Sequence, residues 1–497
     1  MRRMLFWSAA VFVATIIIAG CPSITGSLFV RPATLDFSSV FTERTLAIFQ
    51  TPDLSESWSV LRVPPWIVCS PSAGDGTGYL NVNLKRELMP TYPENGNWTI
   101  GVMSGSQYSS VQIKAVNCPS QEWKYALEDS QYNLESTGIA RTDDCGFVVC
   151  GQVRNWSDKN GGTLAFIQGF LRKLDLLGQP EWDQTFEGDG QARFQEVIPT
   201  ADGGYLAVGY TGLSIATKFI NPIDVFVVKT DAQGVAEWTR NYSVQDQGLA
   251  YAVAADYDGY IITGRCYDVA GGNRFNVFLL RIDSEGNQDW LETYSHGSDF
   301  YGYAVVPTLE GGYVVGGDLY PAVRASVPHG VLMKVDNDGD EVWLHEFGDT
   351  LETHCLAACA APDGGFIAAG YDLTPGQYNM WAGKVNWHGS EVWYHDFPRA
   401  GLQYGYAIDN AVDGGYYIGG TTIASPSIVT QQRAAVLKID EEGSALRFMT
   451  SEGTSPASNT SGAALVATGD GGYAIAGRTY ETNKSLYVYK NPVDVEP

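Results

Sequence analysis

The chain has 497 residues, with 31 Lys+Arg against 56 Asp+Glu and a formal net charge of -25. Its 44% hydrophobic content supplies a core and excludes wholesale disorder, while the acidic surplus repels phosphate backbones and excludes nucleic-acid binding. With 56 glycines, 12% aromatics and only 18% charged residues, it suits short strands and tight turns better than helices.

Arg2 and Arg3 precede an apolar run from Met4 to Ala19, which ends in Ile18-Ala19-Gly20-Cys21. A basic start, a hydrophobic stretch and small residues before a cut mark residues 1–20 as a secretory signal. An uncleaved anchor helix is the competing reading. The thiol directly after Ile-Ala-Gly resembles the bacterial lipobox. That resemblance implies lipidation of Cys21, cleavage before it, and membrane attachment through lipid without a spanning helix. Pro22 is not the Asp that retains such lipoproteins in the inner membrane, so the resemblance implies an outer-membrane lipoprotein, on its periplasmic or surface face. Removing residues 1–20 takes Arg2 and Arg3 and no acid, leaving a charge of -27.

Seven cysteines remain after Cys21, an odd number, so at least one stays unpaired. Cys69 and Cys118 are a candidate bridge. Cys355 and Cys359 fall on one expected strand, on the same face and about 13 Å apart, too far to bond. Cys145 and Cys150 are likewise separated by a strand, and Cys266 stands alone. No Cys/His cluster has zinc spacing, and no metal site is expected.

After a linker at 21–27, short apolar stretches recur from 28 to 116, among them Leu28-Phe29-Val30, Trp58-Ser59-Val60, Trp66-Ile67-Val68 and Val111-Gln112-Ile113. Turn-rich pieces separate them, as expected for an immunoglobulin-like sandwich. The order Leu35-Asp36-Phe37, Trp58-Ser59-Val60, Pro65-Trp66 and Ser70-Pro71-Ser72-Ala73-Gly74 resembles the BACON domain. That family is associated with carbohydrate, and many members look like spacers; Trp58 and Trp66 themselves read as core residues.

Beyond a linker at 117–122, residues 123–491 repeat seven times at 50–58-residue spacing, leaving a tail at 492–497. One column reads Cys145-Gly146-Phe147, Gly203-Gly204-Tyr205, Asp258-Gly259-Tyr260 and Gly311-Gly312-Tyr313. It continues with Gly364-Gly365-Phe366, Gly414-Gly415-Tyr416 and Gly471-Gly472-Tyr473. A basic column runs through Lys173, Lys229, Arg281, Lys334, Lys384, Lys438 and Lys490, and Asp-x-x-Gly follows in most repeats. Four residues later comes Trp182, Trp238, Trp290, Trp343 or Trp393. Four antiparallel strands per repeat predict a seven-bladed β-propeller. The last repeat lacks its Trp-bearing strand, and Trp123-Lys124-Tyr125-Ala126-Leu127 is an orphan strand of that kind, expected to close the ring. The fold class is thus all-β, an immunoglobulin-like (BACON-like) sandwich followed by a propeller. Asp336 to Glu341 superficially resembles a calcium loop, but it falls on the turn shared by the repeats.

The K-x-D-x-x-G-x-x-x-W pattern resembles the tryptophan-docking repeats of quinoprotein-like propellers. That group includes dehydrogenases dependent on pyrroloquinoline quinone and lipoproteins that assist outer-membrane protein assembly. Only the structural turn matches, so no catalytic residue and no cofactor is carried over. Function is expected where the repeats differ, on the face bearing the long connections. Trp156, Tyr267, Asp268, Asp299, Tyr301, Tyr371, Asp372 and Tyr404 gather there, and Tyr251, Tyr303 and Tyr406 are placed at the mouth of the central channel. The expectation is a monomeric, non-catalytic scaffold in the cell envelope that binds a protein or glycan. A polysaccharide-degrading or quinoprotein-type enzyme and an outer-membrane assembly factor are the alternatives. A carboxylate pair among Asp268, Asp299 and Asp372 would favour an enzyme.

Overall fold

The computed structural model describes residues 28–491 except 32–33, 37–42, 51–56, 62, 76–77, 86–88, 90–97, 106, 115–117, 119, 128–131, 156–165, 213–222, 257, 309–310, 322–326, 349–351, 375, 425–431, 452–459 and 480–484. The expected signal segment, Cys21, Trp156 and the 492–497 tail lie outside the described residues. The chain divides into two units, 1–117 and 118–497.

In the first unit, alternating apolar residues build two sheets around one core. One sheet has the order Leu28–Arg31, Glu43–Gln50, Gly78–Leu84 and Ile67–Ser70. The other runs Thr34–Asp36, Gln107–Lys114, Trp98–Ser104, Trp58–Leu61 and Ala73–Gly74. Leu46, Ile48, Leu80 and Val82 of the first sheet meet Ile100, Val102, Val111 and Ile113 of the second. Trp58 and Trp66 are buried with them, Trp66 edge-on to Trp98 at 4.8 Å, so both are core residues.

In the second unit the described strands form seven four-stranded antiparallel groups, blades 1 to 7, and a single parallel bridge between Ile223 and Gln247 joins blades 2 and 3. Their first strands are Tyr132–Arg141, Gln191–Pro199, Gln247–Ala255, Phe300–Pro307, Thr353–Ala360, Leu402–Asn410 and Thr460–Ala467. The orphan strand Trp123–Ala126 pairs with Ser485–Asn491, Trp123 opposite Lys490, and completes blade 7. Blade 7 also packs on blade 1, where Leu134, Ile139 and Val149 share a core with Ala474, Ala476 and Val488. The ring is therefore closed by both ends of the unit, which covers edges that would otherwise recruit strands.

The Trp column holds neighbouring blades together. Trp123 lies against Gly178, Trp182 against Gly234, Trp238 against Gly286, Trp343 against Gly389 and Trp393 against Gly443, each glycine being in the last turn of the following blade. These glycines have φ between 77° and 83° and no room for a Cβ, which would fall 2.4–3.0 Å from the indole. The Trp123 Nε1–H also donates to Leu176 O at 3.0 Å, fixing the closing strand to blade 1. Blade 6 lacks the indole: Arg447 occupies its register opposite Lys438, and Phe448 packs into the core between blades 5 and 6.

The six lysines of the basic column are buried within blades. Lys173 Nζ reaches Asp144 and Glu181 at 2.7 and 2.8 Å, and Lys229 repeats the pattern with Asp202 and Glu237. The acid of the Asp-x-x-Gly turn instead caps its own hairpin: Asp175 Oδ1 accepts from Leu177 N and Gln179 N. Asp336 accepts from Asp338 N and Asp340 N in the same way, so the calcium-like turn does what its counterparts do.

Two cysteine expectations are corrected. Cys118 is bonded to Cys145, with Cα atoms 5.4 Å apart, and Cys69 is free in the other unit. Cys145 sits at φ 66°, at the turn position where five of the other blades use glycine, and the bridge ties that left-handed residue to the segment leading into the closing strand. Cys355 and Cys359 lie on opposite faces of their strand, not the same one. The pairing shifts by one residue at Leu356, so Cys355 packs toward blade 4 and Cys359 toward blade 6.

That shift recurs in every blade. The first strand carries a bulge at Thr137, Gln195, Tyr251, Tyr303, Leu356, Tyr406 and Ala463. Beside each bulge the second strand has a glycine: Gly151, Gly209, Gly264, Gly317, Gly370, Gly420 or Gly477. A Cβ on any of them would lie 1.6–1.9 Å from a first-strand carbonyl oxygen. Replacing Gly209 by Ala is expected to cost about 2 kcal/mol or more in urea unfolding, because backbone must move. An unchanged unfolding midpoint would refute the close approach.

Candidate functional site

A bulge leaves one residue unpaired and turns it out of the ladder. Here the seven unpaired residues turn inward, and all seven line a central cavity of about 280 Å³. Two residues beyond the bulge, Ile139, Val305, Ala358, Ile408 and Leu465 line it too. At the same station in blades 2 and 3, Val197 and Val253 pack into blade cores, while Glu196 and Ala252 line the cavity.

The tyrosines form two clusters. Tyr251 and Tyr303 are 5.3 Å apart between ring centroids, and Tyr301 contacts Tyr303, Tyr320 and Phe275, which in turn contacts Tyr267. In the second cluster Tyr371 lies 5.0 Å from Tyr404 and 5.5 Å from Tyr378, and Tyr404 stacks parallel to Tyr406 at 6.3 Å. All of these rings are partly exposed. Tyr406 does not pair with Tyr251 and Tyr303: Leu356 of blade 5 occupies the intervening place in the ring.

Between the clusters runs a buried polar chain. Asp318 Oδ2 meets His354 Nδ1 at 2.6 Å and Asp318 Oδ1 accepts from Cys355 N at 2.9 Å. His354 Nε2 faces Glu352 Oε1 at 3.3 Å, and the Tyr378 hydroxyl donates to the same carboxylate at 3.2 Å. The His354 ring lies 4.6 Å from Tyr371. Burial alone would push the His354 pKa down, but the two carboxylates outweigh it and hold it above its ordinary value. With both nitrogens facing carboxylates, this imidazole is a fixed link between blades 4 and 5.

The three expected acids do not come together as a pair. Asp268 caps its hairpin by accepting from Gly271 N at 2.6 Å, and Asp299 anchors a strand by accepting from Phe275 N at 2.9 Å. Asp372 is fully buried and accepts from the Tyr394 hydroxyl at 3.0 Å; burial pushes its pKa up to about 6. No contact links any two of them among the described residues.

The sequence pattern did not single out Arg265, Phe275, Asp318 and Glu352, nor Glu196 and Asp409 of the cavity. A signal for two of them was present: the residue after each bulge-facing glycine is Gln152, Tyr210, Arg265, Asp318, Tyr371, Thr421 or Arg478. This is one station on seven blades, filled by different chemistry each time. In several blades it meets the next blade's first strand two residues before the bulge: Asp318 with His354, Tyr371 with Tyr404, Arg265 with Tyr301 and Arg478 with Glu135.

The second unit is a β-propeller, and solved propeller-like proteins are similar to it. A catalytically inactive virginiamycin B lyase from Staphylococcus aureus, solved with quinupristin, is 9% identical at a TM-score of 0.43, over 74% of this chain and 99% of its own. Sqt1 from Chaetomium thermophilum is 11% identical at a TM-score of 0.39, over 72% of this chain and 85% of its own. A puromycin hydrolase is 12% identical at 0.41, over 71% of this chain and 51% of its own. Likeness at this level carries over no residue and no activity. No family model and no curated protein sequence matches the chain.

Glu196 provides a pH test of the cavity. It accepts from Val253 N of the next blade at 2.6 Å, yet burial pushes its pKa up to about 7. A carboxyl raised in the folded state contributes stability below its unfolded pKa, and that contribution is lost as pH rises through 7. Glu196→Gln is therefore expected to stabilise the protein at pH 8 by on the order of 2 kcal/mol and to change little at pH 4.5. Thermal unfolding at both pH values checks this, and equal effects at the two would refute it.

Proposed function

We propose that this protein is a non-catalytic, lipid-anchored scaffold of the bacterial cell envelope that binds a glycan at the loop-side mouth of its propeller. The observation that carries the reading is the half-ring of partly exposed tyrosines across blades 3 to 6, each with an apolar face and a hydroxyl. Such rings stack on sugar faces, while their hydroxyls and the polar groups between them exchange hydrogen bonds with sugar hydroxyls. In this reading Cys21 bears the lipid, and the BACON-like unit is a spacer on the outer membrane. Virginiamycin B lyase and puromycin hydrolase are enzymes, and an enzyme is the competing reading. Against it stand the separate structural roles of Asp268, Asp299 and Asp372 and the double engagement of His354.

On a glycan array the purified protein is expected to retain at least one oligosaccharide. Tyr301→Ala with Tyr404→Ala, one from each cluster, should weaken that binding about tenfold or more. Retention of peptides alone would sink the glycan reading, and turnover of a polysaccharide by the purified protein would sink the non-catalytic one. The anchor is tested separately: Cys21→Ala should move the protein from the membrane fraction to the soluble one, and unchanged membrane retention would overturn the lipid assignment.

A further inference from the structure

Arg265 and Arg478 occupy the same station on blades 3 and 7, but their surroundings differ. Arg478 Nη1 lies 2.8 Å from Glu135 Oε1 of blade 1, so its charge is met within the protein. The residue equivalent to Glu135 on the blade beside Arg265 is Tyr301, and among the described residues no carboxylate forms an ion pair with Arg265. Aromatic rings surround the guanidinium instead: Phe275 at 4.8 Å, Tyr301 at 5.0 Å and Tyr251 at 5.7 Å from its central carbon. Its Nε is shielded from solvent and has no hydrogen-bond acceptor. In a chain with 56 acidic residues and 31 basic ones, this guanidinium, beside the cavity-lining Tyr251, has no ion-pairing carboxylate among the described residues.

Such a group has a definite chemical complement. A guanidinium is planar and always charged, and its donor fork matches a carboxylate in bidentate geometry. Aromatic rings 4.8–5.7 Å from its central carbon lower the local dielectric, which strengthens the pairing. Resting on the glycan reading, we propose that Arg265 receives the carboxylate of a uronic-acid unit whose ring stacks on the tyrosines of the first cluster. The net charge of -25 sets a limit on the polymer. Repulsion acts over about 10 Å at ordinary ionic strength, so the ligand carries isolated carboxylates among neutral sugars and is not a dense polyanion.

The test uses the full chain on an array of uronate-containing oligosaccharides, each printed beside its carboxyl-reduced counterpart. At least one pair should show a preference for the carboxylated form of tenfold or more. Arg265→Gln should bring the two forms to the same affinity, Arg265→Lys should restore part of the difference, and Arg478→Gln should leave the ratio in place. The readout is a ratio within one protein sample, so partial loss of folded protein does not mimic it; melting temperatures of the variants are compared alongside. Equal binding of both forms by the unsubstituted protein, or a preference that survives Arg265→Gln, overturns the role of Arg265 and leaves glycan binding standing. Failure to retain any glycan, charged or neutral, sinks the glycan reading itself.

Discussion

In each blade a first-strand bulge lies beside a second-strand residue that can only be glycine, and the rest of the propeller depends on that contact. With a Cβ 1.6–1.9 Å from a carbonyl oxygen, any other side chain would force the two strands apart. Close approach lets the bulge form, and the bulge turns one residue per blade into the central cavity. It also sets the phase of everything before and after it. Residues beyond the bulge face the side opposite to the one a continuous strand would give them, as Cys355 and Cys359 illustrate.

Blade-to-blade cohesion uses a second glycine in the same spirit. An indole from one blade covers the last turn of the next, and the left-handed glycine there leaves room for the ring. Buried lysines, Lys173, Lys229 and Lys384 among them held by acids of their own blade, keep the hairpins of that rim short and alike. One rim is thus spent on regularity, which frees the other to vary. The station after the bulge-facing glycine is where that variation reaches the cavity mouth. It is filled by ion pairs toward blades 1 and 5, by rings packed edge to face toward blade 6, and by a guanidinium among aromatic rings toward blade 4.

Much of this was legible in the chain. Period, glycine pairs, the Trp column and the orphan strand each had one physical meaning, and the strand pairing Trp123 with Lys490 is the one those columns required. Tyr251, Tyr303 and Tyr406 could be assigned to the cavity because their column is read by counting from a repeated aromatic. The candidate site was legible only in part. Asp268, Asp299 and Asp372 are acidic residues in variable segments, a pattern shared by ligands' partners and by turn caps, and here they serve the backbone or the Tyr394 hydroxyl. Asp318, Glu352 and Arg265 gained meaning only when the next blade was set against them.

The sequence by itself determined the number of repeats, the strand order within each, and the first-strand column that carries Tyr251, Tyr303 and Tyr406 to the cavity, because these follow from local periodicity and from repeated glycines. It also carried the acidic surplus and the glycine and aromatic excess, which belong to an outer surface and to tight hairpins. Only the tertiary structure decided which side chains of one blade meet those of the next, that Cys118 bonds Cys145 rather than Cys69, and that Arg478 is ion-paired while Arg265, among the described residues, meets aromatic rings instead. Those pairings join residues tens or hundreds of positions apart. No local pattern encodes them, and they exist once the ring has closed.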